Sequence, residues 1–390
     1  MINRALSPLK NKSYFLFGAR GSGKSTFLEQ NYREENRLLY DLLDPQVRDE
    51  LSLYPNRFKE EILSQQHKDK IILVDEIQKV PKLLDLVHQL IFKDKRQFVL
   101  TGSSARRLKQ QGVNLLAGRA IVYSLFPFSY LELEEQFSLE KALTRGLLPE
   151  SYFSDSEQEY QEYLRAYCLT YLEKEIQQEQ WIRKLDPFRR FLQIAGQSNG
   201  KIINRSAIAR DVGVDDMTVE NYFEILVDTL LGFHLPSFHR SVRKQQRVAP
   251  KFYLIDCGIQ RALSRTLQIP LKESTSVYGD AFEHFIILEI YKLISYKRLD
   301  WEMHYIKTRD NVEIDLVIER PGKPLLMIEI KSKELVHAQD IKALRSLGFD
   351  LDPEAEKYLL SQDPLTRDME GVSCMHWKNG LAAIFEETEN

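Results

Sequence analysis

Cysteine is scarce in this chain: Cys168, Cys257 and Cys374 are far apart and odd in number, with no C-x-x-C pair. That pattern excludes a disulfide framework and a cysteine zinc site, and points to a reducing compartment. No apolar run approaches the length of a membrane span, and Met1 to Lys12 lacks the apolar segment of a secretory leader. A soluble, cytoplasmic protein with no membrane partner is the resulting expectation. Charge of one sign is also lacking: the net formal charge of −3 rules out a molecule coated in nucleic-acid-binding surface and leaves room only for a local basic groove. Internal repeats and low-complexity tracts are absent as well.

What is present is an ordinary globular composition, 43% hydrophobic and 28% charged, over 390 residues. That length exceeds what one core usually organises, so two or three domains are expected. The first third alternates short apolar runs with helical patterns. The runs are Tyr14 to Phe17, Arg37 to Tyr40, Ile71 to Val74, Phe98 to Thr101 and Ala120 to Leu125, the rhythm of a parallel α/β sheet. Turn-rich sequence around Gly146 to Glu150 and Ser154 to Ser156 places a boundary near residue 150.

Tyr160 to Leu235 is helical in period. Arg205 to Val214 has the helix, Gly turn, helix cadence of a helix-turn-helix, and strand patterns at Gly232 to Phe238 and Lys251 to Ile255 would form a wing. The last segment reads as a helix from Gly279 to Ile294, strands near Trp301 to Ile306, Glu313 to Ile318 and Leu325 to Ile330, and a helix after His337. The expected architecture is α/β in three domains: a P-loop parallel-sheet domain at 1–150, a helical winged-helix domain with linker at 151–260, and a small αβββα domain with tail at 261–390.

Gly18-Ala19-Arg20-Gly21-Ser22-Gly23-Lys24-Ser25 follows a strand pattern and opens a helix, the context a phosphate loop requires. Its glycines let the backbone wrap closely, so that successive N–H groups hold phosphate oxygens. Lys24 is placed for the β and γ phosphates of ATP, Ser25 for Mg2+ and Thr26 for the α-phosphate. Ile71 to Val74 ends in Asp75-Glu76, which puts Asp75 on Mg2+, directly or through water, and Glu76 on the attacking water. Hydrolysis is therefore expected. Ser103 follows the strand Gln97 to Leu100 and is either a γ-phosphate sensor or a plain strand-end turn. Arg119 is either a charge-stabilising finger reaching a neighbouring subunit of an oligomer or a surface ion-pairing residue.

Gly18 to Thr26, Val74 to Pro81, Leu100 to Ser103, Ala117 to Arg119 and Phe126-Pro127-Phe128-Ser129 resemble a prokaryotic family of AAA-type ATPases. The resemblance runs from about residue 10 to 350. It implies an archaeal-initiator-like ATPase core, a winged helix behind it, and a C-terminal domain related to PD-(D/E)xK nucleases, restriction-endonuclease-like in fold.

In the helix-turn-helix, Asp215, Asp216, Glu220, Glu224 and Asp228 would repel a duplex, so packing is the expected role, with Ile225, Leu226 and Leu230 as core. The run His239 to Arg247 is basic and either tracks DNA phosphates or is a solvated loop.

Asp315 alternates with apolar neighbours, and Glu329 and Lys331 share a strand face. A hairpin setting Asp315 beside Glu329 would offer two hard oxygen ligands to Mg2+ or Mn2+, with Lys331 polarising water for phosphodiester hydrolysis. Glu283, on the preceding helix, can complete the site. It matches the helix glutamate of the PD-(D/E)xK pattern, while Val312-Glu313-Ile314-Asp315 departs from the literal Pro-Asp. These readings converge on an ATP-dependent DNA-processing protein. A nucleotide-controlled switch that binds DNA or a partner without cutting stays open as the rival.

Overall fold

The computed structural model describes residues 2–103, 118–171, 185–239 and 248–386. The chain divides into two compact units, Met1–Glu132 with Glu224–Leu231, and Leu133–Phe223 with Gly232–Asn390. Residues 133–150, read from sequence as the end of the first domain, group with the second unit. Ser104, Leu116, Ala117 and the basic run from Arg240 to Arg247 lie outside the described residues.

The first unit is built on β1 (Ser13–Phe17), β2 (Arg37–Asp41), β3 (Ile71–Asp75), β4 (Phe98–Gly102) and β5 (Ala120–Ser124). All pair in parallel, in the order β2-β3-β4-β1-β5. Among the described residues, helices α1 (Lys24–Asn31), α2 (Pro45–Leu53), α3 (Pro55–Leu63) and α4 (Leu83–Asp94) lie between these strands in the chain. Phe15, Ile72, Val74, Phe98 and Leu100 meet Leu83, Val87 and Leu90 in one fully buried cluster. Strands this apolar must be covered on both faces, which is why their sequence runs are nearly continuous rather than alternating. Because the strands are parallel, their carboxyl ends share one edge. The chain returns past β1 to reach β5, so β1 sits where a crevice opens between neighbouring connections.

The second unit begins with α5 (Leu139–Arg145), α6 (Glu157–Ala166), α7 (Leu185–Gln197), α8 (Arg205–Val212) and the first two turns of α9 (Asp216–Asp228). Gly213, at φ +80, ends α8 in the left-handed conformation that favours glycine. A two-stranded antiparallel ribbon follows, β6 (Gly232–Leu235) with β7 (Lys251–Leu254). The helix, Gly turn, helix and ribbon order matches the sequence expectation, although both strands are shorter than read.

Beyond α10 (Cys257–Leu263) and α11 (Ser276–Tyr296) lies a six-stranded sheet rather than three strands. Its strands are β8 (Glu302–Lys307), β9 (Glu313–Glu319), β10 (Leu326–Ile330), β11 (Glu356–Ser361), β12 (Arg367–Met369) and β13 (Val372–His376), ordered β12-β13-β11-β10-β9-β8. The αβββα reading stops short because β11 to β13 lie in a stretch taken as tail. β12 has only three residues, too few for alternation to register. Helices α12 (Lys342–Leu351) and α13 (Trp377–Glu386) complete the unit. The long α11 carries Phe282, Phe285, Ile286, Ile287, Leu288 and Ile290, all buried, as befits a helix covered all round. Among the described residues no helix is long and apolar enough to cross a membrane.

Candidate functional sites

Residues 18–26 leave β1 at its carboxyl end and run into α1. Gly21 and Gly23 have φ of +74 and +94, values that favour glycine. Gly18 is required for a different reason: a Cβ there would lie 2.5 Å from the Leu125 carbonyl oxygen and 2.7 Å from Ser22 Oγ. No side chain caps α1, so its first N–H groups remain available to an anion. Lys24 is buried and donates to the Gly18 carbonyl at 2.7 Å and the Ala19 carbonyl at 3.4 Å. Ala19 and Ser22 are buried, whereas Arg20, Ser25 and Thr26 are exposed.

The carboxyl ends of β3 and β4 bring the other expected residues to this edge. Thr101 donates its hydroxyl to Asp75 Oδ1, and the Thr101 hydroxyl oxygen accepts the Glu76 N–H at 3.1 Å. Burial, partly offset by Thr101, raises the Asp75 carboxyl above its ordinary value. A carboxylate so placed gains from a nearby cation. Glu76 is held in the left-handed region at φ +56. Its carboxylate accepts from the Gln78 amide, which also donates to Ser103 Oγ at 3.2 Å. Asp75, Glu76 and Ser103 are thus joined by one hydrogen-bonded chain. Exposed Ser25 and half-buried Asp75 form an oxygen donor set suited to Mg2+.

Arg119 is placed differently. Ala120 pairs with Ser13 and Ser124 with Phe17, so Arg119 stands at the amino end of β5, about 16 Å along the strand from the phosphate loop. Its guanidinium meets His88 Nε2 and lies 5.0 Å from the centre of the Phe92 ring. Within its own chain it does not belong to the ATP site.

In the second unit, β9 and β10 pair antiparallel with Leu326 opposite Ile318 and Ile328 opposite Leu316. Continuing that register sets Glu329 opposite Asp315. Lys331 Nζ lies 2.5 Å from Glu329 Oε1 and 3.9 Å from Asp315 Oδ2. Asp315 Oδ2 also accepts the Ile330 N–H at 2.8 Å. Glu329 Oε2 is buried and has no hydrogen-bond partner. Burial, then repulsion by Asp315, pushes Glu329 up to about 8. The same two causes push Glu283 up to about 7, and burial raises Asp315. Burial opposes the charge on Lys331, but Asp315 and Glu329 more than offset it and hold its ammonium above the ordinary range. Upward shifts on both the carboxyls and the lysine describe one condition: more carboxylate than a single ammonium can neutralise.

Glu283 reaches this cluster from α11 but is engaged elsewhere. It accepts the Tyr253 hydroxyl at 2.8 Å and lies 3.7 Å from Lys251 Nζ. Among the described residues no group of three or more His, Cys, Asp or Glu side chains is set to hold a metal ion. The lysines stand between the carboxylates instead. Asp315 and Glu329 alone, with the orphaned Glu329 oxygen, fit a hard divalent cation as a two-carboxylate donor set.

Residues 10–134 match the family model described as AAA domain, 136–270 the model described as Domain of unknown function (DUF8612), and 278–375 the model described as Domain of unknown function (DUF4143). The first unit is an AAA-type ATPase-like domain. An uncharacterized protein of Mycobacterium tuberculosis is 23% identical over 312 residues, spanning 79% of this chain and 68% of its own. An uncharacterized protein of Methanocaldococcus jannaschii is 23% identical over 429 aligned positions, spanning 96% and 85%. The Aeropyrum pernix ORC1 protein solved in complex with DNA aligns over 66% of this chain and 86% of that chain, at 13% identity and a TM-score of 0.23.

Several residues of the AAA-like unit carry no sequence signal. Arg4 donates to the Ser22 carbonyl in the phosphate loop at 2.8 Å, to the Phe126 carbonyl at 2.5 Å, and to Glu132 Oε1 at 3.0 Å. Glu132 in turn accepts the Ala5 and Ser129 N–H groups at 2.7 and 2.9 Å. This buried ion pair braces the loop from behind and gives Phe126 to Ser129 a structural purpose: Arg4 also lies 5.0 Å from the Phe128 ring centre. An arginine ahead of the first strand announces nothing by pattern. In the second unit Lys251, Tyr253, Lys307 and Glu313 were missed. Lys251 alone had a legible cue, a charge opening the otherwise apolar strand Phe252 to Leu254.

Proposed function

We propose that the chain is an ATP-dependent DNA-processing protein in which Mg-ATP binding and hydrolysis by the AAA-like unit controls a divalent-metal carboxylate site in the second unit. The loop glycines and the N–H groups opening α1 hold the phosphates, and Lys24 exchanges the Gly18 carbonyl for β and γ phosphate oxygens. Ser25 and Asp75 hold Mg2+, Glu76 orients water toward the γ-phosphorus, and Ser103 reports on the γ-phosphate through Gln78. Bound Mg2+ supplies neutralisation of phosphate charge. The observation that carries this part is the hydrogen-bonded chain from Asp75 through Thr101 and Glu76 to Ser103 beside a loop that only glycines can form.

Arg119 completes a neighbouring copy's site in a homo-oligomer, since its place on β5 keeps it from its own. Arg119→Ala should lower ATP turnover by about 10³ and remove its dependence on protein concentration. Normal turnover in that variant would return Arg119 to a surface role.

In the second unit Asp315 and Glu329 would hold Mg2+ or Mn2+, and the ion would supply polarisation of a phosphodiester oxygen there, while Lys331 positions water and Glu283 supports the site. Water adds to phosphorus, the phosphorus–oxygen ester bond breaks, and the departing oxygen takes a proton from solvent. The unpartnered Glu329 oxygen carries this part. α8, α9 and the ribbon act as a winged-helix-like module that packs rather than reads sequence. Its acidic side chains are spent locally, Glu220 on Arg205 at 2.6 Å and Asp216 on Ser206 at 2.6 Å.

The test is a nuclease assay on linear, circular and single-stranded DNA with Mg2+ or Mn2+, with and without ATP, comparing wild type, Lys24→Ala and Lys331→Ala. Cleavage lost in Lys331→Ala and uncoupled from ATP in Lys24→Ala is the expected result. ATP turnover without cleavage of any DNA would favour a second reading, a nucleotide-controlled switch that binds without cutting. The pairing of the carboxylates with lysines, rather than in a group of three, speaks for that alternative.

A further inference from the structure

Lys251, from the ribbon, sits inside the carboxylate cluster of the following sheet, and its surroundings are unusual. It is the first residue of β7 and is 3% exposed. Its Nζ lies 2.5 Å from Glu313 Oε1 and 3.7 Å from Glu283 Oε1, and 5.4 Å from the centre of the Tyr305 ring. A buried ammonium is costly unless carboxylates or other close acceptors compensate it.

The backbone shows how it is held there. The β8–β9 register shifts between His304 and Ile306, where Tyr305 of β8 faces two residues of β9, Asp315 and Leu316. Such a bulge on β9 disrupts the ladder locally, and Tyr305 pairs with another segment. Tyr305 donates its N–H to the Pro236 carbonyl at 3.0 Å and accepts the Phe238 N–H at 2.7 Å, which ties the strand after β6 to β8. Its hydroxyl donates to the Ala249 carbonyl at 2.7 Å, just ahead of Lys251. Tyr253, two residues on, fixes Glu283 through its hydroxyl. The ribbon therefore delivers a cation and a hydroxyl to one side of the cluster.

Charge divides the cluster into two halves. Lys251 and Lys307 face Glu283 and Glu313, with Lys307 3.1 Å from Glu313 Oε2, so that half is balanced. Among the described residues Lys331 is the one cation within ion-pair distance of Asp315 and Glu329, so at contact range this half is one positive charge short, and it holds the unpartnered Glu329 oxygen.

We infer that Lys251 is the resident cation of the Glu283 and Glu313 half, so the site takes one divalent ion, at Asp315 and Glu329, and not two. This rests on the metal-site reading above and adds its stoichiometry. Glu283 then acts as a positioning residue, held to the ribbon rather than to the metal.

The experiment is Mn2+ titration of the nucleotide-free full chain by calorimetry, with electron paramagnetic resonance on the same samples. Only binding abolished by Asp315→Asn is counted, which removes any contribution of the AAA-like unit. Wild type should bind one Mn2+ with an isolated-ion spectrum, and Glu283→Gln should bind it with affinity changed less than about threefold. Lys251→Met should admit a second ion, seen as doubled stoichiometry and a spin-coupled spectrum, and Lys251→Arg should stay at one. Two ions in wild type, or a tenfold or greater loss in Glu283→Gln, overturns the inference whether or not Lys251→Met folds. A folded Lys251→Met that still binds one ion also overturns it. No Mn2+ binding sensitive to Asp315→Asn overturns the metal-site reading itself and this inference with it.

Discussion

The two candidate sites each hold a lysine, Lys24 buried and Lys331 partly exposed, and the contrast between their surroundings separates the sites. Lys24 donates only to backbone carbonyls, of Gly18 and Ala19. Its charge is unspent, and its surroundings are N–H groups and glycines, so the missing ligand is an anion. Lys331 is already ion-paired with Glu329 and Asp315, yet one carboxylate oxygen is left over. Under the proposed function the ligand there is a cation. A lysine beside backbone dipoles and a lysine beside carboxylates are thus opposite devices, although each is a cation next to oxygen atoms.

The sharpest way to break the contrast is Lys24→Ala. Loss of a pre-placed cation at developing phosphate charge should cost about 10³ in ATP turnover, measured by phosphate release, while Mn2+ binding dependent on Asp315 stays unchanged. A loss of both would mean the sites are not separable devices.

Arg4→Ala comes next in size. It leaves Glu132 buried without its partner, a change that costs about 3 kcal/mol when a buried pair is broken from one side. The side chains are 4% and 0% exposed, so solvent offers little relief. Chemical denaturation should show that loss, with a raised KM for ATP because the Ser22 carbonyl loses its brace. The double variant Arg4→Met/Glu132→Gln, which removes both charges and keeps an acceptor for the Ala5 and Ser129 N–H groups, should recover most of the stability and not the KM. Recovery of both would reduce the pair to packing.

Thr101→Val tests the support of Asp75. Removing a hydroxyl that orients a metal-binding carboxylate typically weakens metal affinity about tenfold, so the Mg2+ dependence of ATP turnover should shift to higher concentration by that factor. An unchanged Mg2+ dependence would place Asp75 outside the metal's reach.

The smallest effect concerns pH. The carboxyl of Glu329 titrates near 8 in the fold, up from 4.5, because of burial and then Asp315. Its contribution to stability is therefore complete below about pH 4.5 and is lost as pH rises through about 8. Metal-free protein should melt at falling temperature across that window, Glu329→Gln should flatten the fall, and Mn2+ should reverse it in wild type alone. An identical slope in the variant would remove Glu329 as the cause.

How much of this was legible differs between the sites for a physical reason. A phosphate loop is a local object: Gly18, Gly21, Gly23 and Lys24 are set by backbone conformation within one turn between a strand and a helix, so their spacing is visible in the chain. Asp75 and Ser103 follow because apolar runs of five residues in a parallel sheet must end on one edge. The strands β1 to β5 were readable for the same reason, and β11 to β13 were not, β12 having only three residues and β11 and β13 being partly polar.

The amino-acid sequence by itself determined the sheet of the AAA-like unit, the loop, and the identities of Asp315, Glu329 and Lys331 on their strand faces, since alternation and glycine conformation are properties of neighbouring residues. Only the tertiary structure decided that Arg4 braces the loop across 128 positions to Glu132, that Arg119 stands at the far end of β5, and that Lys251 and Tyr253 claim Glu283. Buried charge is neutralised by whatever the fold brings within a few ångströms, and no local pattern records which distant residue that will be.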